Sequence, residues 1–147
     1  MTGLRVASMV VGVSVGVLAS AAVASAQTPA DQQRIEEQRQ IESGSGLFRT
    51  YCVVCHGTDA KGTGPLASSM RRKPADLTAL SAKNGGTFPA ETTHRVIDGK
   101  NPVKGHGGGD MPVWGDALSR SQDGGSPEVV QHRIEELVNY LKSIQKP

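Results

Sequence analysis

Cys52-Val53-Val54-Cys55-His56, followed at once by Gly57, is the stretch that decides how this 147-residue chain is read. Two thiols three positions apart sit one helical turn from each other, a spacing that lets both add across the vinyl groups of one porphyrin. Cys-x-x-Cys-His is accordingly the attachment pattern of a c-type haem. The adjacent imidazole of His56 is then delivered beneath the iron as an axial ligand. The chain has two cysteines in all, so both are used. A zinc site would need a second Cys/His pair at ligand spacing, and the sequence has none. A thioredoxin-type pair would need a strand before it and a βαβ setting, and neither flank supplies one. The pattern implies one haem c, covalently held through Cys52 and Cys55.

The N-terminus agrees with that assignment. Arg5 provides a short positive region, Val6 to Val23 is almost wholly apolar or small, and Ala24-Ser25-Ala26 is a small-residue cleavage site. Residues 1–26 are therefore expected to be a cleaved signal peptide, with Gln27 first in the mature chain. Thiol–vinyl coupling takes place outside the cytoplasm, which fits an exported, periplasmic protein. The apolar stretch is nearly long enough to span a bilayer, so an uncleaved anchor is the alternative. No cysteine stands at a lipobox position.

Residues 27–147 suit one small domain. Two Phe, two Tyr and one Trp make a thin core for that length; a porphyrin would add a large apolar body to pack around. Basic and acidic residues number 16 and 14, and loss of Arg5 with the leader leaves 15 against 14. A chain so near neutrality gives no support to nucleic-acid binding and little to steering by net charge.

Gln, Glu and Arg dominate residues 31–43, with isolated Ile35 and Ile41. Residues 27–43 read as a polar extension, either frayed helix or linker, and 44–147 as the haem-bearing domain. Gly44-Ser45-Gly46 is expected to interrupt the helix. Leu47, Phe48, Tyr51 and Cys52 then recur at helical spacing up to the motif, with Gly57 as C-cap. Turn-forming residues fill 57–65. Short helices are expected around Ala75 to Asn84 and from Pro89 to Gly99, followed by a glycine-rich loop over 99–110. Ser126, Pro127 and Glu128 open the last helix, whose stripe is Val130, Ile134, Leu137, Leu141 and Ile144. No stretch alternates as a strand, so the expected class is all-α.

A haem iron has two axial positions, and the candidates for the second are Met70, Met111, His94, His106 and His132. Met70 reads as a packing methionine, and His94 and His132 as surface histidines. His106, in the glycine-rich loop, is the rival to Met111. Arg71-Arg72-Lys73 reads as a solvated face or a docking patch.

Met111 stands in Asp110-Met111-Pro112-Val113-Trp114-Gly115. Together with Gly46-Leu47-Phe48, Cys52 to Gly57, Gly62-Thr63-Gly64-Pro65 and Leu137-Val138-Asn139-Tyr140-Leu141, this segment resembles the class I, monohaem cytochromes c of bacteria over about residues 44–145. The resemblance implies a small fold of several helices wrapped around one haem, with N- and C-terminal helices crossing near Gly46. It implies that Met111 ligates the iron opposite His56, that the Pro65 carbonyl orients the His56 ring, and that Trp114 lies against the haem or a propionate. With both axial positions filled, the implied role is periplasmic one-electron carriage, without enzyme activity, between a respiratory donor and an acceptor such as a terminal oxidase. Partners would dock transiently on a monomer. A dedicated cytochrome subunit of a periplasmic dehydrogenase, or a haem catalyst or gas sensor with a labile sixth ligand, is the alternative.

Overall fold

A computed structural model describes residues 28–99, 111–121 and 125–146. Residues 1–26 (expected as a signal peptide), His106 and all but Gly99 of the expected 99–110 loop lie outside the described residues. The described residues form six α-helices and two 3-10 turns, with no strand among them.

Helix α1 (Pro29–Tyr51) starts on a capping box. The Thr28 hydroxyl accepts from the Asp31 amide while the Asp31 carboxylate accepts from the Thr28 amide, and Pro29 occupies the first turn. Because the Thr28 hydroxyl also donates to it, and Arg34 lies beside it, the Asp31 carboxyl is held below its usual range. The helix does not break at Gly44-Ser45-Gly46; it runs unbroken to Tyr51. Neighbouring packing outweighs the glycine penalty of about 1 kcal/mol per residue, since helix α6 (Pro127–Ser143) lies across this point.

The crossing corrects the expected contact residue. Gly44, not Gly46, is where the two helices meet. A Cβ on Gly44 would lie 2.0 Å from the Glu136 carbonyl oxygen and 2.9 Å from Tyr140 Cβ, whereas nothing approaches a Cβ on Gly46 within 4 Å. Helical geometry explains it: Gly44, Phe48 and Tyr51 follow the i, i+4, i+7 spacing of one face, and Gly46 is two residues, about 200°, away. Phe48 is buried beside the crossing with its ring 5.3 Å from that of Tyr140, tilted by 46°, a geometry that contributes about 0.5–1.5 kcal/mol beyond area burial.

Of the expected α6 stripe, Val130, Ile134, Leu137 and Leu141 are buried, with Val138 beside them, while Ile144 is the C-cap and only half-buried. Ile97 from α4 (Ala90–Asp98) and Leu118 from α5 (Trp114–Ser119) join the buried stripe in one core with Phe48 and Ala60. Helix α4 ends at Gly99 in a left-handed conformation, and Pro89 is its N-cap rather than its first helical residue. The segment expected as one helix around Ala75 to Asn84 is a 3-10 turn (Leu77–Ala79) running into the single turn of α3 (Leu80–Lys83). Gln145, beyond α6, fastens this segment: its carboxamide accepts from the Ser81 amide at 2.8 Å and donates to the Leu77 carbonyl at 2.7 Å. Helix α5 has no counterpart in the sequence reading. Its six residues bury Gly115 and Leu118, too short a pattern to register as periodic. No helix among the described residues is long and apolar enough to cross a membrane.

Candidate haem site

Helix α2 (Val53–His56) is a single turn that carries the cysteine motif. It follows α1 directly at Cys52 and is capped by Gly57 at φ 77°. The backbone of the following turn folds back onto it: the Gly62 amide donates to the His56 carbonyl at 2.8 Å, and the Gly64 amide to the Cys55 carbonyl at 3.1 Å. Residues 74–75 then cross over Gly62, where a Cβ would stand 2.1 Å from the Pro74 carbonyl oxygen. That close approach brings a carbonyl to His56.

The carbonyl belongs to Ala75. His56 Nδ1–H donates to the Ala75 oxygen at 3.2 Å. Ala75 thus makes the contact expected of Pro65, which is exposed. The hydrogen bond fixes the tautomer, because a carbonyl can only accept: Nδ1 carries the proton and Nε2 keeps its lone pair. Burial holds the His56 pKa below its usual value, only partly opposed by the Ala75 contact. The ring is therefore neutral at neutral pH, the form in which imidazole binds a metal.

Above His56 lies a cavity of about 320 Å³, within the range of cofactor sites. Phe48, Leu137 and Leu141 wall it from the α1–α6 crossing, and Thr92, Val96 and Ile97 from α4. Cys52 and His56 open into it on one side; Met111 and Trp114 line it from the segment leading into α5. Gly115 seats that segment, since a Cβ there would meet Asp98 Oδ1 at 2.1 Å. Trp114 is half-buried with its ring 5.6 Å from that of Tyr51 at 55°, so the indole ties the Met111 segment to the end of α1.

Cys52 and Cys55 are both free thiols and half-exposed. Burial, and secondarily the neighbouring Cys55, push the Cys52 pKa up to about 12, so at neutral pH this sulfur is a protonated thiol of low redox reactivity. A pair of thiols on one turn, of which Cys52 lines the apolar chamber and Cys55 is not part of its wall, and a neutral imidazole with a free Nε2 fit a covalent haem. Among the described residues no group of three His, Cys, Asp or Glu side chains could hold a metal by itself.

The remaining candidates separate clearly. Met70, read from the sequence as a packing residue, is half-buried and lines the same cavity. It follows a 3-10 turn (Ala67–Ser69), a connection with no sequence periodicity to aim it. His132 is exposed beside Glu135 and Glu136, at 3.9 and 3.5 Å; His94 is half-buried on α4 and is not part of the cavity wall. Arg72 and Lys73 are exposed and border the cavity, a position their sequence did not disclose.

An all-helical domain whose Cys-x-x-Cys-His motif presents Cys52 and His56 to an apolar chamber has the features of a c-type cytochrome. The chain matches, over residues 39–141, the family described as cytochrome c oxidase, cbb3-type, subunit III, and it belongs to that family. Membership supports the class I monohaem resemblance and carries with it haem-based electron transfer. The cofactor is a covalent haem c, for which Cys52 and Cys55 are the thiols present. No curated protein and no solved structure matches the chain.

Proposed function

We propose that this protein is a periplasmic one-electron carrier whose haem iron is held between His56 and Met111. The observation that carries the reading is the convergence of Cys52, His56 and Met111 on one cavity, from α1, α2 and the approach to α5. When bound, the haem supplies reversible ferric–ferrous chemistry. Its surroundings bias that chemistry: a thioether ligand and an apolar chamber both disfavour the more highly charged ferric form and raise the potential. Ala75 fixes the His56 ring through Nδ1, and Trp114 holds the Met111 segment against Tyr51. With the iron held by both His56 and Met111 no position would remain for a substrate, and the role would be carriage rather than catalysis.

Export through residues 1–26, a haem domain over 44–147 and brief docking of a monomer to redox partners complete the reading. The family's description names a subunit of an oxidase, which favours a terminal oxidase as acceptor.

The test is the weak far-red charge-transfer band of thioether-ligated ferric haem. The band is expected in the native holoprotein, absent from Met111→Ala and retained in Met70→Ala. Its loss in Met70→Ala instead would move the ligand to Met70. Its absence from the native protein, with ready carbon monoxide uptake by the ferrous form, would overturn carriage.

A further inference from the structure

The residues just past α6 reach back into the body of the fold. Gln145 uses its whole carboxamide: the oxygen accepts from the Ser81 amide at 2.8 Å, and the nitrogen donates to the Leu77 and Leu141 carbonyls, both at 2.7 Å. The bonds to Ser81 and Leu77 span 64 and 68 residues of sequence, so they are tertiary ties rather than a helix end closing on itself. The Lys146 amide adds another, donating to the Thr78 carbonyl at 2.9 Å.

What these bonds hold is the segment that follows Ala75. Leu77 is tied twice, its carbonyl to Gln145 and its amide to the Ala60 carbonyl at 2.8 Å. On the other side of Ala75, the Pro74 carbonyl packs on Gly62, where a Cβ would stand 2.1 Å away. The Ala75 carbonyl, 3.2 Å from His56 Nδ1, therefore rides on a short stretch fixed before it by Gly62 and after it by Leu77. Its own side chain is a single methyl and cannot aim it. Leu77 and Leu80, within the fastened stretch, are also part of the cavity wall. Asn139 on α6 offers a contrast: its carboxamide donates to Gln40 Oε1 at 2.8 Å, a tie to α1 instead of to this segment.

We propose that Gln145 is a positioning residue for the haem ligand His56: by clamping residues 77–81 it holds the Ala75 carbonyl on Nδ1, and through that bond sets how strongly Nε2 donates to the iron. The proposal rests on the reading of His56 as an axial ligand. A carbonyl held firmly on Nδ1–H makes the ring a stronger donor, which favours ferric iron. Loss of the clamp loosens that bond and raises the potential, with no change of charge anywhere in the chain.

The test compares two uncharged replacements of similar size in the holoprotein, Gln145→Met and Asn139→Leu. Each removes a long-range tie of the C-terminal segment, and each lowers the denaturation midpoint. Two readouts separate positioning from fastening. The His56 Nδ1 proton is followed by NMR in the ferrous protein, where six-coordinate low-spin iron is diamagnetic. Its exchange with solvent is about tenfold faster in Gln145→Met and unchanged in Asn139→Leu. The midpoint potential likewise rises in Gln145→Met alone. Gln145→Asn, with the same groups one methylene short, lies between the parent and Gln145→Met. Equal exchange rates and equal potentials in Gln145→Met and Asn139→Leu overturn the proposal and leave Gln145 a structural fastening. Carbon monoxide uptake by the ferrous parent is measured alongside. Ready uptake removes the carrier reading alone; the exchange comparison is then made on the diamagnetic carbon monoxide adduct, where the same difference sustains the clamp and its absence overturns it.

Discussion

The α1–α6 crossing and the cavity beside it share walls but are built on different terms. At the crossing, protein meets protein: Gly44 admits the Glu136 backbone, and Phe48, Ile134 and Leu137 are at most 3% exposed. Around the cavity the turns over 57–77 are tied mainly by backbone hydrogen bonds, such as Leu77 amide to Ala60 carbonyl at 2.8 Å. Phe48, Ile97, Leu137 and Leu141 serve both regions. The difference teaches that one half of the fold is specified by side-chain complementarity, while the other is a set of connections shaped to hold a group between them.

Removing that group is the severest way to separate the two. Cys52→Ser/Cys55→Ser abolishes covalent attachment, read as loss of haem staining after denaturing electrophoresis. The resulting chain is expected to keep the far-ultraviolet circular dichroism of α1 and α6, and to lose the near-ultraviolet signal of Trp114, whose surroundings include the cavity. Compact helix without fixed aromatic packing is the signature of a loosened core. Equal loss of both signals would mean that the crossing also depends on haem.

The crossing is broken from the other side at glycine. Gly44→Ala places a methyl group 2.0 Å from the Glu136 carbonyl oxygen, an overpacking that costs about 1–3 kcal/mol. Gly46→Ala meets nothing within 4 Å and gains about 0.5–1 kcal/mol from helix propensity. Chemical denaturation of the two holoproteins should therefore shift the midpoint in opposite directions. Shifts of the same sign would show that the helices meet elsewhere than at Gly44.

This glycine pair also marks the boundary of what the sequence made legible. Helix α6 was legible because its Ser-Pro-Glu start and its stripe from Val130 to Leu141 agree, and α4 because Pro and Gly bracket it. The all-helical class and the haem motif followed from residue type and spacing alone. Choosing between Gly44 and Gly46 required helix phase: stepping back four residues from Phe48 selects Gly44. The Ala75 carbonyl on His56 left no mark, since any residue offers a carbonyl and only the approach over Gly62 brings this one near. Helix α5 was too short to show a period. Met70 reaches the cavity through irregular backbone, where sequence spacing carries no direction.

The smallest effect concerns the edge of the cavity-side turns. Asp76 caps the Leu77–Ala79 turn, accepting from the Thr78 amide at 2.9 Å and the Thr78 hydroxyl at 2.7 Å. The Thr78 hydroxyl is the main reason its carboxyl is held below the usual value of 3.8. A depressed carboxyl stabilises the fold above its unfolded pKa and ceases to do so as pH falls through its folded one. The contribution is thus complete near neutrality and begins to be lost only as pH falls below about 4. Because the carboxylate is largely solvated, Asp76→Ala should cost only about half a kcal/mol at pH 7, the low end for a lost cap, and less at pH 3. Asp31 caps α1 by the same chemistry, so Asp31→Ala should follow the same pH course. If the turns depend on their bound group and the helices on each other, the Asp76 effect grows in the haem-free chain while the Asp31 effect stays constant. Denaturation midpoints at pH 7 and pH 3, with and without haem, decide between that outcome and a single cooperative unit in which the two carboxylates behave alike.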